Sequence, residues 1–144
     1  MALAATACSP QGDRTMAGAR NADAATANNA LGTLLRLGDA ARAAGDLPTA
    51  IGFYKRAVDQ YDTYVEGHLR LGMALAEAGA YTQAIDAYQA ALRVEPESVD
   101  AFRGWGNVLI AIDQPALAQA QYVAALKYDP NDYRSMNGLG VVYD

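Results

Sequence analysis

Few residues of this chain have the type and spacing that catalysis needs. The only histidine is His68, and a general base requires a reacting partner within hydrogen-bond reach. The sequence offers no such partner, so we expect His68 to be a packed residue of a helix. No His, Cys and carboxylate residues stand at metal-ligand spacing. The sequence therefore predicts a protein that is not an enzyme and that takes no cofactor and no metal ion.

Two Gly-x-Gly segments, at 104–106 and 138–140, resemble the start of a phosphate-binding loop. A lone Gly-x-Gly is a weak signal, and a true phosphate loop follows a strand. Both segments lie inside predicted helices with no strand before them. Close helix packing explains the second glycine of each, so we assign them to packing.

The single cysteine, Cys8, excludes an internal disulfide and has a suggestive context. Small apolar residues fill positions 1–7, and Ser9 follows. This arrangement resembles the end of a bacterial lipoprotein signal peptide, in which small residues precede an acylated cysteine. The match is partial, because Ala5 stands where such signals most often have Leu, and a basic start and a full apolar core are missing. Two interpretations stay open: a signal-peptide remnant with a lipidation site at Cys8, or an Ala-rich tail with a chance cysteine.

Composition favours closely packed helices. The chain has 144 residues and is 52% hydrophobic with only 8% aromatic residues, and Ala dominates the hydrophobic share, whereas strands favour β-branched residues. The formal net charge is −5 with both signs interspersed, which argues against a nucleic-acid partner because such a partner needs a concentrated basic face. No apolar run approaches the ~20 residues of a membrane span.

The elements that position these residues recur at a step of 34 residues. A fixed step of this size indicates an array of helical hairpins. The units are 31–64, 65–98 and 99–132, with a partial unit at 133–144, and we number the places of each unit from 1 to 34. The recurring residues are Gly38, Gly72, Gly106 and Gly140 at place 8, Ala50, Ala84 and Ala118 at place 20, Tyr54, Tyr88 and Tyr122 at place 24, and Ala57, Ala91 and Ala125 at place 27.

This pattern predicts an all-α solenoid of three full hairpins plus one further helix. The small residues at places 8 and 20 let the two helices of a hairpin approach closely. Leu37, Leu71 and Trp105 at place 7 are expected to fill the space beside the crossing, and the tyrosines at place 24 the layer between hairpins. Each hairpin buries its apolar face only against its neighbours. Asp62 stands where units two and three have a proline, so we expect weaker helix termination in unit one.

The pattern resembles the tetratricopeptide repeat (TPR) over residues 31–144. Unit two carries the full signature with Leu71-Gly72, Ala84, Tyr88, Ala91 and Pro96. The resemblance implies a right-handed superhelix whose first helices line a concave groove. Such grooves usually bind an extended peptide or a helix of a partner protein.

The resemblance also implies which side chains face the groove. The arginines and asparagines would bond backbone carbonyls or a carboxylate of the partner, and Leu69, Met73 and Ile110 would take an apolar anchor. The alternative is a charged solvent face with no single ligand. The implied groove residues are Leu35, Asp39, Arg42, Glu66, Leu69, Arg70, Met73, Glu77, Arg103, Asn107, Ile110, Arg134 and Asn137, with Asp100 and Val141 at equivalent places.

One subtype of the family is argued against. TPR domains that clamp the C-terminal carboxylate of chaperones carry Lys, Asn and Arg at five fixed places. Those places here hold Leu35, Asp39, Arg70, Asp100 and Gly104, so the clamp is absent.

The two ends of the chain carry their own expectations. Residues 1–27 are predicted to be a signal-peptide remnant and a flexible tether, with the TPR domain at 28–144. Residues 9 to about 27 are small and polar, which favours the tether, although their Ala content could also form a frayed helix from about Asn21. The last helix carries Leu139 and Tyr143 on the face that a further helix would cover. We expect a second copy of the chain to cover this face as a homodimer, or the helix to fray.

The predicted function is a protein-interaction scaffold. With a lipid on Cys8, its membrane contact, it would be a lipoprotein of the bacterial cell envelope, with Ser9 favouring the outer membrane. Its organisation is similar to the TPR lipoproteins of the Flp (tight-adherence) pilus, which implies pilus or secretion assembly. The alternative is a cytoplasmic TPR adaptor or the regulatory half of a larger protein.

Overall fold

The chain folds into helices joined by short turns. The computed structural model describes the backbone of residues 13–144 and the side chains of residues 24–144, and Cys8 lies outside them. Within that range there are seven helices and no strand, so the all-α prediction is confirmed. They are α1 (Asp13–Ala43), α2 (Leu47–Gln60), α3 (Val65–Glu77), α4 (Tyr81–Val94), α5 (Val99–Ala111), α6 (Pro115–Tyr128) and α7 (Tyr133–Tyr143).

The helices form three consecutive hairpins, α1 with α2, α3 with α4 and α5 with α6, and α7 packs on α6 and α5. The expected weak termination of unit one is wrong, because α2 ends at Gln60, the same place in its unit as Val94 and Tyr128. The Tyr61 amide still donates to the Ala57 carbonyl at 2.9 Å, closing the helix without a proline.

The turn inside each hairpin needs one residue in the left-handed backbone region. Gly45 and Gly79 adopt it with φ of 79° and 76°. At the same place unit three has Asp113, with φ of 58°. Asp tolerates this region better than most residues because its short polar side chain bonds locally. The backbone geometry of the turn is thus retained although the glycine is lost.

The core contains a row of tyrosine rings, each of which packs against glycine. Tyr54 and Tyr122 are 0% and 1% exposed, and the alanines at places 20 and 27 are all fully buried. A Cβ added at Gly38 would lie 2.4 Å from the Tyr54 ring, and one at Gly106 would lie 2.7 Å from the Tyr122 ring. The place-8 glycine therefore makes room for the place-24 ring of its own hairpin, and not chiefly for the place-20 alanine.

The first glycine of each Gly-x-Gly segment has the same role between units. A Cβ at Gly104 would lie 2.4 Å from the ring of Tyr88, and one at Gly138 would lie 2.5 Å from the ring of Tyr122. Both tyrosines belong to the preceding hairpin. Each ring thus lies between glycines of two consecutive units. Gly104, Gly106 and Gly138 are packing residues, whereas Gly140 has no atom within 4 Å of an added Cβ, so the packing explanation is wrong for that glycine.

Residues 13–27, for which the sequence predicts a flexible tether or a frayed helix from about Asn21, continue α1 as a helix that begins at Asp13. The segment is rich in Ala, the best helix former, and after Pro10 it has no proline that would stop a helix. It also joins the first helix of unit one without a turn, so it extends an existing helix and avoids the cost of nucleation. The lack of large apolar residues removes packing contacts but does not remove helicity.

Both ends of the array leave apolar side chains uncovered. Leu37 is 44% exposed, since no helix of the described chain packs on that side. The expectation that it fills the space beside the helix crossing is therefore wrong. On α7, Tyr143 is 70% exposed, as expected. Leu139, by contrast, is partly buried and packs against the cluster of Leu109 and Tyr122.

The glycine–tyrosine contact predicts opposite effects of one substitution at two equivalent places. Gly106→Ala gains about 1 kcal/mol of helix propensity, but its Cβ meets the immobile Tyr122 ring, and such overpacking costs about 1–3 kcal/mol. We expect a net loss in the free energy of unfolding. Gly140→Ala has no atom within 4 Å of the new Cβ and is expected to be neutral or stabilising.

Urea denaturation of the two variants beside the wild type measures both effects. Gly52→Ala, another helical glycine with open space around it, is a second control. An equal shift of all three variants in the same direction would contradict the steric explanation.

Candidate partner-binding groove

The first helices of the units line one open groove that encloses about 730 Å³. Ten of the thirteen residues that the sequence placed in a groove lie on its wall, and whether they bind a partner stays a prediction. They are Asp39, Arg42, Glu66, Leu69, Arg70, Met73, Arg103, Asn107, Arg134 and Asn137, joined by Asp100.

The remaining three lie elsewhere. Leu35 is 8% exposed and borders an adjoining depression of about 360 Å³ that shares Asp39 and Arg70 with the groove. Glu77 bonds Arg42 beside the groove. Ile110 packs against the core cluster of Leu109.

Sequence reasoning missed two residues of the groove wall, Tyr88 and Gly104. Tyr88 was assigned to the core because it belongs to the tyrosine ladder. Gly104 was set aside as a weak phosphate-loop signal. The sequence did contain a clue in the repeat places. Place 6 of unit three is a glycine, and without a side chain there the tyrosine of unit two can reach the groove.

Ion pairs already hold three of the four groove arginines, and the fourth, Arg134, donates to the Tyr133 hydroxyl at 3.2 Å. Arg42 bonds Glu77 across the first and second units at 2.7 Å. Arg70 bonds Asp39 of the first unit and, at 2.7 Å, Glu66 of its own helix. The expectation that these arginines would be available for a partner's carboxylate is therefore revised, because such a contact must first displace an existing one.

Arg103 joins the third and fourth units in the same way. Its side chain is 17% exposed and contacts Asp100 and, at 3.1 Å, Asp132. Asp132 caps α7, accepting from the Ser135 hydroxyl at 2.6 Å and from the Ser135 amide at 3.3 Å. One buried carboxylate thus both starts α7 and anchors it to α5.

These contacts keep the acidic partners ionised. Burial alone would raise the pKa of the Asp132 carboxyl, but bonds from Ser135 and Arg103 outweigh it and hold the pKa below its ordinary value. For Asp39 the same burial is outweighed by bonds from Tyr54 and Arg70, so its pKa is also lowered. Both are therefore carboxylates at neutral pH.

Two buried tyrosines donate hydrogen bonds to side chains of the groove wall. Tyr54 donates to Asp39 at 2.6 Å and Tyr122 donates to Asn107 at 2.8 Å, and both acceptors hold place 9 of their units. Burial first, and then the bond to Asp39, raise the pKa of Tyr54 to about 12. In unit two, place 9 is Met73, which offers Tyr88 no oxygen acceptor.

The groove can therefore supply hydrogen bonds and apolar contact. Met73 is 42% exposed, Leu69 borders it, and the Asn107 amide nitrogen stays available while its oxygen accepts from Tyr122. Among the described residues no cluster of His, Cys, Asp or Glu is arranged to hold a metal ion. No helix in the described part of the chain is long and apolar enough to cross a membrane.

Fold and groove together define a helical-repeat protein. Sequence comparison gives the family: the tetratricopeptide repeat profile matches residues 11–65 and 103–144, and a second TPR repeat profile matches residues 72–113. The chain belongs to the tetratricopeptide repeat family. The first match begins at residue 11, so it includes the helical segment that precedes unit one. No curated protein sequence matches the chain.

Solved structures share the fold at low sequence identity. The TPR domain of Arabidopsis OM64 has a TM-score of 0.76 at 18% identity, covering 80% of this chain and 95% of that one. The second TPR domain of human RPAP3, in complex with the HSP70 peptide SGPTIEEVD, has a TM-score of 0.77 at 15% identity, covering 82% and 98%. MamA has a TM-score of 0.73 at 27% identity, covering 78% and 66%.

The Asp132 contacts predict a pH-dependent stability. Asp132→Asn retains a capping side chain but loses the charge that pairs with Arg103, and we expect a loss of about 1–2 kcal/mol at pH 7. The folded-state pKa of Asp132 lies below the ordinary 3.8, so its contribution is full at higher pH. It disappears as the pH falls through the folded-state pKa.

The check is the urea midpoint of both proteins from about pH 7 down to pH 2.5, across the range where carboxylates titrate. The difference should be constant above about pH 5 and shrink at the acid end. Asp59→Asn, at an exposed site of α2, controls for loss of a surface charge. A difference that does not change with pH would contradict the ion-pair origin.

Proposed function

We propose that this protein is a non-catalytic interaction scaffold that binds a peptide or helix of a partner protein in its groove. The observation that carries the proposal is an open groove of about 730 Å³ in which apolar Leu69 and Met73 lie among fixed polar groups. Concave sites that combine apolar walls with a few placed polar groups are typical binding sites. The second TPR domain of RPAP3, which has the same fold, was solved with a bound peptide, and this supports the same use.

The charges of the groove favour a protein partner over nucleic acid. Each of Arg42, Arg70 and Arg103 has a carboxylate partner within its own wall. A phosphate backbone needs uncompensated Lys and Arg in a continuous face. A protein segment requires only hydrogen bonds and apolar contact, which the groove supplies.

We further propose that the protein acts in the bacterial cell envelope, lipid-anchored at Cys8 and directed to the outer membrane. The support is sequence alone: the small residues at 1–7, Cys8 itself and Ser9. Its similarity to the TPR lipoproteins of the Flp (tight-adherence) pilus makes pilus or secretion assembly the proposed process. Residues 13–30 of α1 would then span about 27 Å between the anchor and unit one, at 1.5 Å per residue. The competing proposal is a cytoplasmic adaptor or the regulatory half of a larger protein.

A homodimer through α7 also stays a proposal. Its support is the set of exposed apolar side chains on that helix: Tyr133 at 62%, Met136 at 47%, Val141 at 60% and Tyr143 at 70%. Light scattering at high protein concentration decides it, since a strict monomer would remove this proposal and a mass of two chains that returns to one in Val141→Lys would support it.

The groove proposal predicts that one added charge in the groove weakens binding. Met73→Glu adds a carboxylate to a groove wall that Glu66 and Asp100 also line. We expect binding of peptides selected from a random library of blocked decapeptides to weaken at least tenfold, about 1.4 kcal/mol or more. Fluorescence anisotropy with the labelled peptides measures the affinity.

The matched control is Leu117→Glu, which puts the same charge on α6 at a side chain that is 54% exposed and does not line the groove. It should leave the affinity unchanged. Circular dichroism of both variants should match the wild type. Equal binding by Met73→Glu and wild type would refute the groove as the binding site.

The envelope proposal predicts acylation of Cys8. Native protein from its bacterial host should partition into the membrane fraction and carry an acyl mass on the peptide that contains Cys8. Cys8→Ala should move the protein to the soluble fraction without the added mass. Wild-type protein that is soluble and unmodified would favour the cytoplasmic adaptor.

A further inference from the structure

The hydroxyl of Tyr88 breaks the pattern of the tyrosine ladder. Tyr54 and Tyr122 each donate to the place-9 side chain of their own unit, at 2.6 and 2.8 Å. Met73 holds place 9 in unit two and has no oxygen to accept such a bond. Within the described residues no side chain or backbone group accepts from the Tyr88 hydroxyl. The residue is 5% exposed and lines the groove, so only water in the groove can reach its hydroxyl.

A hydroxyl without an internal acceptor can exchange groove water for a ligand acceptor, and its position shows where that acceptor fits. No fully enclosed side-chain oxygen or nitrogen in the described chain lacks a hydrogen bond. The Tyr88 hydroxyl has none, so it is not fully enclosed, and Tyr88 lines the groove. A Cβ at Gly104 would lie 2.8 Å from this oxygen. The hydroxyl therefore lies beside Gly104, the one residue of α5 in the groove wall that has no side chain.

The surroundings decide the chemistry of the group that would meet this hydroxyl. Leu69 and Met73 supply apolar wall on the α3 side, and Gly104 lines the groove on the α5 side. Carboxylates Glu66 and Asp100 border the same space, while Arg70 and Arg103 are held in ion pairs. Beside Tyr88, a ligand carboxylate would meet these acidic groups while Arg70 and Arg103 are already engaged, whereas a neutral carbonyl would not be repelled. Arg134, the one groove arginine that is not in such an ion pair within the described residues, lies on α7.

Resting on the proposed function, we propose that the centre of the groove is a subsite for one uncharged apolar residue of an extended peptide, whose backbone carbonyl accepts a hydrogen bond from the Tyr88 hydroxyl. The apolar side chain contacts Leu69 and Met73. The peptide backbone lies over the Tyr88 hydroxyl, because the Tyr88 ring itself fills the space beside Gly104. Burial, followed by the nearby Glu77, raises the pKa of Tyr88 to about 12, so the hydroxyl keeps its proton to donate at neutral pH.

This subsite distinguishes the chain from the carboxylate-binding members of its family. No acceptor within the described residues competes for the Tyr88 hydroxyl, so Tyr88 acts as a specificity-determining residue. Units one and three cannot do the same, since Asp39 and Asn107 already accept from their tyrosines. The specificity is therefore local to unit two.

The test starts from a random library of decapeptides with blocked termini, selected on the wild-type protein. We expect the enriched peptides to share one aliphatic residue and to show no enrichment of Asp or Glu. Tyr88→Phe removes only the hydroxyl and should weaken binding of an enriched peptide about three- to tenfold, the range of one neutral hydrogen bond. Met73→Asn installs the acceptor found in unit three and should weaken it similarly, because the hydroxyl then bonds within the protein.

Stability separates this role from a structural one. Tyr88→Phe should unfold at the same or a higher urea concentration than the wild type, since no internal bond is lost. Tyr122→Phe should unfold at a lower one, since it leaves Asn107 without its donor. Leu117→Asn makes the same kind of polar substitution as Met73→Asn outside the groove and should leave peptide affinity unchanged.

Each outcome bears on one of the two proposals. Enrichment of acidic peptides, or equal affinity of Tyr88→Phe and wild type, would overturn the subsite and leave groove binding intact. Peptides that bind Met73→Glu as tightly as wild type, or a library from which nothing is enriched, would overturn the proposed function and the subsite with it.

Discussion

The structure depends on the contact between the place-24 tyrosine ring and the glycines around it. Tyr122 is 1% exposed and faces Gly106 of its own hairpin and Gly138 of the next unit. A methyl group at either glycine would lie well inside the contact distance that carbon atoms tolerate. The ring therefore fixes both the crossing inside a hairpin and the spacing between hairpins. Its length also sets the place of the hydroxyl, which ends at the groove wall, so that one residue type joins the core to the candidate site.

Much of the fold could be predicted because this contact repeats at a fixed step. The residues at places 8, 20, 24 and 27 define it, and the helix bounds of the three units agree to the residue even where Asp62 and Asp113 replace a proline and a glycine. The start of α1 could not be predicted in this way. Residues 13–27 lack the repeat signature, and their helicity arises from Ala propensity and from the adjoining helix. A rule based on buried apolar residues does not detect such a helix.

The candidate site was predictable in position and less so in chemistry. Repeat places locate side chains such as Arg70 and Asn107 on one wall, since place determines direction on a helix. They do not say which side chains bond each other. The pairs Arg42–Glu77 and Arg103–Asp132 join residues 35 and 29 positions apart, and only the superposition of successive units brings them together. Charges that look available in the sequence are therefore already partnered in the fold.

The variation between units carries the functional content of the groove. A perfect repeat would give every tyrosine hydroxyl an internal acceptor and every inner wall the same side chains. Unit two departs from this at Met73, and place 6 changes from arginine in units one and two to glycine at Gly104 and Gly138. Met73 and Gly104 adjoin one tyrosine, Tyr88, which lies in the hairpin that has a neighbour on each side. Repeat energetics place the highest local stability in such a unit, because both of its interfaces are formed. An unsatisfied hydroxyl is tolerated best there, since the neighbouring units hold the ring in place whether or not a ligand is bound.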